Sequence, residues 1–383
     1  MMMNMVTALR RRRLLQALGL TSLPGLARSE GEVPGLQFPR DFGAHPAQSL
    51  EWWYLTGVLG DVFSERELGP PRFGYQLTFF RVRGPAPPDH PSRFAARQLL
   101  LAHAAVTDLA GGKLQHDQRL ARAGFGIAEA SESDCDVHLR DWFLRRNEAG
   151  YRAGFASKTG GFALALRLQT TQPPLLQGQQ GLSRKGPDPA QFSHYYSQLQ
   201  LQTEAKLQLG GKTRQLSGRS WLDHEWSDNL LGAQGGEQAV GWDWAGINLS
   251  DGGALTVFRL RRADGTQLWA GGSWRKPGGT SQDFAPAQIS MAPLRHWRSP
   301  ASGANYPVAW RITTPLGQLE LRTLLDAQEV DARASTGMRY WEGAAELLSL
   351  DGQRLGLGYL ELTGYADGMT LLRSQGPDKK LKP

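Results

Sequence analysis

Asp223, His224 and Glu225 stand together between Trp221 and Trp226, and Asp243 lies between Trp242 and Trp244 a short way downstream. Four of the chain's twelve tryptophans fall within positions 221–244. Carboxyl groups held against indole walls are disfavoured in their charged form, so one of these acids can keep a proton near neutral pH and serve as a general acid. Indole and phenol faces can then stabilise the carbocation formed when an alkene takes up that proton. The chemistry suited to this pattern is protonation of an apolar, polyene-like substrate. The same residues have a plainer use, in which the acids pair with Arg219 and other arginines and the tryptophans fill cores.

Such residues must be held by strands. In a strand Trp221, Asp223 and Glu225 point one way, and Leu222, His224 and Trp226 the other. If the last strand of a closed sheet pairs with its first, this segment lies beside Glu51-Trp52-Trp53-Tyr54, and Glu51 joins the acids and His224 in one neighbourhood. The expected catalytic residues are Asp223, His224, Glu225 and Asp243. The expected ligand-binding residues are Glu51, Trp53, Tyr54, His103, Tyr195, Trp226, Trp242 and Trp244. His103, on an apolar strand, reads either as an inward-facing polar group or as a satisfied core histidine. No His-x-His or His-Glu-x-x-His spacing backs a metal site, and no nucleophile elbow, phosphate loop or dinucleotide fingerprint is present. No metal and no cofactor is expected.

Internal similarity sets the architecture. Leu77-Thr78-Phe79-Phe80-Arg81-Val82-Arg83 recurs 178 positions later as Leu255-Thr256-Val257-Phe258-Arg259-Leu260-Arg261. A tryptophan-rich segment ending in glycine precedes each copy, Trp52 to Gly57 in one and Trp242 to Gly246 in the other. Further matches follow in the same order: Leu101–Val106 with Trp269–Trp274, Leu164–Leu168 with Leu319–Thr323, and Leu209–Lys212 with Leu350–Gln353. Period-two segments bounded by Asp251-Gly252, Asp264-Gly265 and Asp351-Gly352 predict hairpins. The fold class expected is all-β, two tandem lipocalin-like antiparallel barrels, because closure removes exposed strand edges. The barrels are expected over residues 33–232 and 236–375, joined near Leu231–Gln238, with a basic tail at 376–383. An insertion from Gln172 to Phe192, rich in Gln, Gly and Pro, reads as a loop over a barrel mouth. Its flanks, Ser183 to Gly186 and Ser193 to Ser197, either bind a polar head group or anchor the loop.

Composition narrows the classes. The net charge of +7 falls to +3 without residues 1–27, which hold four arginines and no acid, so a basic nucleic-acid surface is not supported. The single cysteine, Cys135, excludes an internal disulfide and thiolate metal clusters. Arg10 to Arg13, the apolar run Leu14 to Leu20 and the small residues ending at Ala27 read as an export signal, and the arginine run resembles a twin-arginine signal. A periplasmic or secreted location is therefore expected. No later window reaches the roughly 18 apolar residues of a membrane-spanning helix.

Several segments together resemble a family: Phe38 to Pro46, Glu51-Trp52-Trp53-Tyr54-Leu55-Thr56-Gly57, Gly74 to Arg81, Gly181 to Gly186, and Trp221-Leu222-Asp223-His224-Glu225-Trp226. They resemble the AttH-like secreted proteins, which are similar to carotenoid 1,2-hydratase (hydroxyneurosporene synthase). The resemblance implies two lipocalin-like domains. It also implies one of three trades: acid-catalysed hydration of a carotenoid double bond, carriage of a lipid-like ligand beside an ABC transporter permease, or templated cyclisation. The hydratases' Asp-His-x-Trp pattern maps onto Asp223, His224 and Trp226. The partner expected is a hydrophobic lipid or isoprenoid, enclosed in or beside the first barrel.

Overall fold

The computed structural model describes residues 35–61, 70–231 and 238–368. The expected export signal (1–27), the basic tail (376–383) and most of the joint near Leu231–Gln238 lie outside the described residues.

Every strand pairing is antiparallel, and the strands form two sheets. The first opens with β1 (Leu50–Asp61), β2 (Phe73–Arg83), β3 (Gln98–Asp108) and β4 (Lys113–Arg122). A meander follows: β5 (Ala128–Ala130), β6 (Asp136–Leu139), β7 (Trp142–Asn147), β8 (Gly150–Ser157) and β9 (Phe162–Gln169). Two short pieces, β10 (Leu175–Leu176) and β11 (Leu182–Arg184), lead into the long β12 (Phe192–Leu209) and β13 (Lys212–Ser227). The second sheet begins with β14 (Gly241–Leu249), β15 (Ala254–Arg261), β16 (Gln267–Arg275) and β17 (Ser281–Phe284). It continues through β18 (Ser290–Arg298), β19 (Asn305–Thr314), β20 (Gly317–Thr323), β21 (Glu329–Asp331), β22 (Arg339–Leu348) and β23 (Arg354–Leu362).

The strand orders correspond: 3-2-1-13-12-9-8-7 in the first sheet runs parallel to 16-15-14-23-22-20-19-18 in the second. Each sequence match falls on equivalent strands, β1 on β14, β2 on β15, β3 on β16 and β9 on β20. The Leu209 and Leu350 turns join the equivalent pairs β12–β13 and β22–β23. The expected all-β fold of tandem barrels holds, and the first sheet is nearly closed. Where its ends meet, the Arg119 guanidinium of β4 donates to the Leu139 and Ala156 carbonyls and pairs with Asp141. The turn glycines Gly252, Gly265 and Gly352 take φ of 88°, 82° and 88°, the left-handed region their hairpins require.

Four apolar clusters result, the smallest being Val330, Ala332 and Tyr340. One fills the first sheet, with Trp53, Tyr75, Phe79, Trp142 and Tyr196 among its buried rings. A second fills the other sheet around Trp310, Trp341 and Tyr306. A third lies in the seam where the sheets dock, and includes Tyr54, Trp221, Trp244, Phe258 and Tyr359. Small residues let the seam close: a Cβ on Gly74 would fall 2.6 Å from the Tyr359 hydroxyl, and one on Gly246 would fall 2.9 Å from the Trp221 ring. The Gln172–Phe192 insertion takes part in this seam through Leu175, while its Leu176 packs against the cluster of the first sheet. Gln177 bonds to Ser197 of the first sheet and to Thr256 and Ser273 of the second, and Arg275 donates to the Pro173 and Pro174 carbonyls.

Candidate functional site

The closing pair β1–β13 puts Glu51 opposite Trp226, Trp52 opposite Glu225, Trp53 opposite His224 and Tyr54 opposite Asp223. Alternation then divides these residues between two faces. Glu51, Trp53, His224 and Trp226 point into the first barrel, whereas Trp52, Tyr54, Asp223 and Glu225 point into the seam. The single neighbourhood expected for Glu51, Asp223, Glu225 and His224 is therefore two, separated by the thickness of a sheet.

Inside the first barrel Glu51 is wholly buried. Its Oε1 receives the His45 Nδ1 and His224 Nε2 protons, each at 2.8 Å, and its Oε2 receives Arg81 Nε at 2.6 Å and the His45 backbone N–H at 2.9 Å. Burial would raise the Glu51 carboxyl, but these bonds and the Arg81 charge hold it far below the usual range. Burial opposes charge on His45 too, yet its bonds to Asp41 and Glu51 raise it. His224 stays neutral, because burial lowers it and its Nδ1 lies 3.2 Å from the Tyr196 hydroxyl, which donates to it. Trp53 stacks on His224 at 4.6 Å, and His45 on Trp226 at 3.6 Å. His45, Glu51 and His224 offer the donor types of a metal site within 4.8 Å of one another. Their lone pairs and N–H groups are spent on one another, and Arg81 sets a fixed positive charge at the shared carboxylate. This is a rivet of hydrogen bonds among the buried rings of the first barrel.

Two hollows stand out among the described residues: one of about 740 Å³ over the charged outer face of β7–β9 and β12, with Arg145, Arg152, Arg167, Glu204 and Lys206 on its walls, and a smaller, aromatic-walled one in the seam. The seam cavity has a central void of about 60 Å³ within a concavity, mouth included, of about 710 Å³. Its walls are aromatic, chiefly Trp52, Tyr54, Trp242, Trp244 and Phe258, and four carboxyl groups enter it: Asp223, Glu225, Glu342 and Glu361. Their surroundings differ. Asp223 accepts three hydrogen bonds, from Trp221 Nε1 at 2.7 Å, Ser197 Oγ at 2.5 Å and the Tyr195 hydroxyl at 2.9 Å. Burial raises it and these donors pull it back, which leaves it at about 7. Glu225 is paired with Lys185 at 2.9 Å and accepts a bond from Ser193. Glu361 is raised to about 7, by burial first and also by the charges of Asp223 and Glu225. Glu342, opposite Glu361 on the neighbouring strand, has no hydrogen-bond partner for either oxygen. The Tyr54 and Tyr340 hydroxyls approach it without closing a bond. Burial, with Glu361 beside it, pushes Glu342 well above the carboxylate range.

The structure thus brings Tyr54, Tyr195, Asp223, Glu225, Trp242 and Trp244 to one cavity. Glu51, Trp53, His224 and Trp226 are correct as neighbours of one another but belong to the packed interior of the first barrel. His103 lies between the sheets, off the cavity wall, bonded to Tyr340. Asp243 points into the second barrel, away from the tryptophans that flank it. There it accepts hydrogen bonds from Arg259 Nε at 2.6 Å and the Tyr365 hydroxyl at 2.8 Å, and it forms an ion pair with Arg261, whose Nε lies 3.2 Å away. Asp243 and Arg259 are cross-strand partners on β14 and β15, as Glu51 and Arg81 are on β1 and β2. The same carboxylate–arginine lock recurs in each barrel, and Asp243 is not among the residues lining the seam cavity. Asp243→Asn is expected to lower stability by about 3 kcal/mol, since it strands the buried guanidinium of Arg261 and the partly buried one of Arg259, and to leave ligand affinity unchanged. Urea unfolding and titration calorimetry check the two halves of that statement.

Sequence reasoning missed Lys185 as a cavity residue, and Tyr340, Glu342 and Glu361. The signal for Glu342 was present: Tyr340-Trp341-Glu342-Gly343 sets an acid beside aromatics within an apolar strand, as at Asp223 and Asp243.

Comparison with known proteins fits this architecture. The AttH-like family model matches residues 30–365. The crystal structure of an AttH homologue from Nitrosomonas europaea superposes with a TM-score of 0.77 at 43% identity, covering 87% of this chain and 98% of that one. Kievitone hydratase from Nectria haematococca shares the fold, with a TM-score of 0.62 at 12% identity, covering 87% of this chain and 94% of that one. No curated protein matches the chain in sequence.

Proposed function

Because the chain belongs to the AttH-like family, we propose that it binds an apolar, alkene-bearing molecule of lipid or isoprenoid type in the seam cavity and adds water across a double bond. The observation that carries this reading is the contrast between two buried carboxyl groups facing one aromatic cavity. Glu342, with no hydrogen bond closed on either oxygen and with Glu361 beside it, is held by burial as the neutral acid. Asp223, with three donors, suits the carboxylate. Two acids with environments this different supply a proton donor and a base at one pH.

In the forward step the Glu342 O–H bond breaks and its proton joins one alkene carbon. The cation on the other carbon faces the indoles of Trp242 and Trp244 and the ring of Phe258. A water oxygen bonds to that carbon while Asp223 takes the water's proton. The product is an alcohol, and the sum is one added water. The central void takes a few waters or the short end of an alkenyl chain, and the wider concavity falls in the range of small-molecule sites, roughly 300–1,000 Å³. A shared fold with an enzyme named as a hydratase is in keeping with this reading.

The arginine-led N-terminal segment supports a site of action beyond the cytoplasmic membrane. Carriage of the same class of ligand to an ABC transporter permease is the alternative function. Native mass spectrometry of protein taken from its own host identifies the bound molecule. Incubating that molecule with protein in water labelled with heavy oxygen is expected to yield a product one labelled water heavier. Binding with no such gain would overturn the hydratase reading and leave the carrier.

A further inference from the structure

Glu342 gives up a proton in each turnover of the scheme above, while the proton taken from water ends on Asp223. The cavity must therefore be reloaded. We infer that Ser335, His103 and Tyr340 form a proton path that runs from the protein surface, across the seam, to Glu342. This inference rests on the hydration reading and extends it.

The groups are joined by short contacts across more than 200 residues of sequence. His103 Nε2 lies 2.8 Å from Ser335 Oγ, and His103 Nδ1 lies 2.8 Å from the Tyr340 hydroxyl. The outer end reaches water: Ser335 is half-buried, and its hydroxyl donates at 2.7 Å to Gln118, which is also half-buried. The middle is dry, with His103 and Tyr340 buried. At the inner end Tyr340 lines the cavity and sits two residues from Glu342 on β22, on the same face. A buried histidine satisfied at both nitrogens is commonplace. Here its string of partners begins at solvent and ends beside a carboxyl group that has no partner of its own.

The string can be polarised in either sense. Outward, the Tyr340 O–H donates to Nδ1, the Nε2–H donates to Ser335, and the Ser335 O–H donates to Gln118. Inward, a proton arriving at Nε2 releases the one on Nδ1 to the Tyr340 oxygen, and Tyr340 passes its own proton to the Glu342 carboxylate. One proton enters at Ser335, one arrives on Glu342, and every intermediate group keeps its charge. Burial, reinforced by His116, lowers His103 to about 3, so it works as a neutral relay by exchanging tautomers. Asp331 and Asp117 act on His116, Arg333 and Arg339 pair with Asp331, and Gln118 donates to the Asp331 backbone carbonyl. Gln76 donates to the Tyr340 oxygen at 3.3 Å and holds the hydroxyl in line.

The test is infrared spectroscopy of the full-length protein moved from H2O into D2O. The carbonyl band of neutral Glu342, identified by its loss in Glu342→Gln, shifts as the carboxyl proton exchanges. Exchange is expected to be at least an order of magnitude slower in His103→Phe and in Ser335→Val than in the unaltered protein. Added imidazole is expected to restore it in His103→Ala, whose void admits the missing ring. A purely structural histidine would not respond to imidazole in that way. Unchanged exchange in a folded His103→Phe or Ser335→Val protein overturns the path but spares the hydration reading. Absence of a neutral Glu342 band overturns both. Should His103→Phe fail to fold, Ser335→Val, altered at a half-exposed loop position, decides alone.

Discussion

Glu342→Gln is expected to lower turnover by about 10²–10⁴-fold while leaving ligand affinity nearly intact, because the amide keeps the shape of the acid but has no proton to give the alkene. Single-turnover kinetics beside equilibrium binding separates the two effects. The same substitution is expected to stabilise the protein in neutral and alkaline solution. The sign follows from linkage: in the folded chain Glu342 holds its proton well above 4.5, whereas the unfolded chain releases it near that value. Between the two, the folded state binds more protons than the unfolded, so stability falls as pH rises. Asp223, raised to about 7 from 3.8, adds to the same decline over pH 4 to 7. Glu342→Gln removes the first contribution, and its advantage in urea midpoint over the unaltered chain should therefore be larger at pH 8 than at pH 5. An equal midpoint difference at both would mean that Glu342 ionises normally and is no acid catalyst.

Glu51→Gln should do the reverse. Glu51 is the common acceptor for Arg81, His45 and His224 inside the first barrel, and removal of its charge leaves the Arg81 guanidinium buried without a counter-ion. Losing one partner of such a pair costs about 3–5 kcal/mol. Its folded value is depressed, so the stability it contributes is fully present above about 4.5 and drains away as pH falls below that. The variant should be much weaker at pH 7 and should lose this part of the acid sensitivity. Urea denaturation at pH 7 and pH 4 measures both. Binding per folded molecule should not change, since Glu51 lies behind the sheet from the cavity.

The sequence alternation at 221–226, the repeat and the pairing of the Trp53 strand with the Trp226 strand were all legible, because each depends on local period or on a closed-sheet topology. Which face was interior was not. In an ordinary antiparallel sheet a polar face marks solvent and fixes the orientation. β1 is buried along nearly its whole length on both faces, and so is the last part of β13, so nothing in the residue types distinguished the barrel interior, which takes His224 and Trp226, from the seam, which takes Asp223 and Glu225. Asp243 misled for the same reason: an acid flanked by two tryptophans in sequence sits on the opposite face from both. The acid among aromatics at Glu342 was visible in the sequence, but its sharing a cavity with Asp223 was not, since that depends on how two separate sheets dock.

The cavity is bounded by the outer surfaces of two independently packed cans, each riveted from within by its own carboxylate–arginine pair. Side chains on those outer surfaces can change size and polarity without disturbing either can's jigsaw of rings, so this architecture uncouples the reshaping of selectivity from the cost of mutating a core. A duplicated sheet of this kind is a favourable platform for directed evolution, with the search confined to the wall residues and the two rivets left alone.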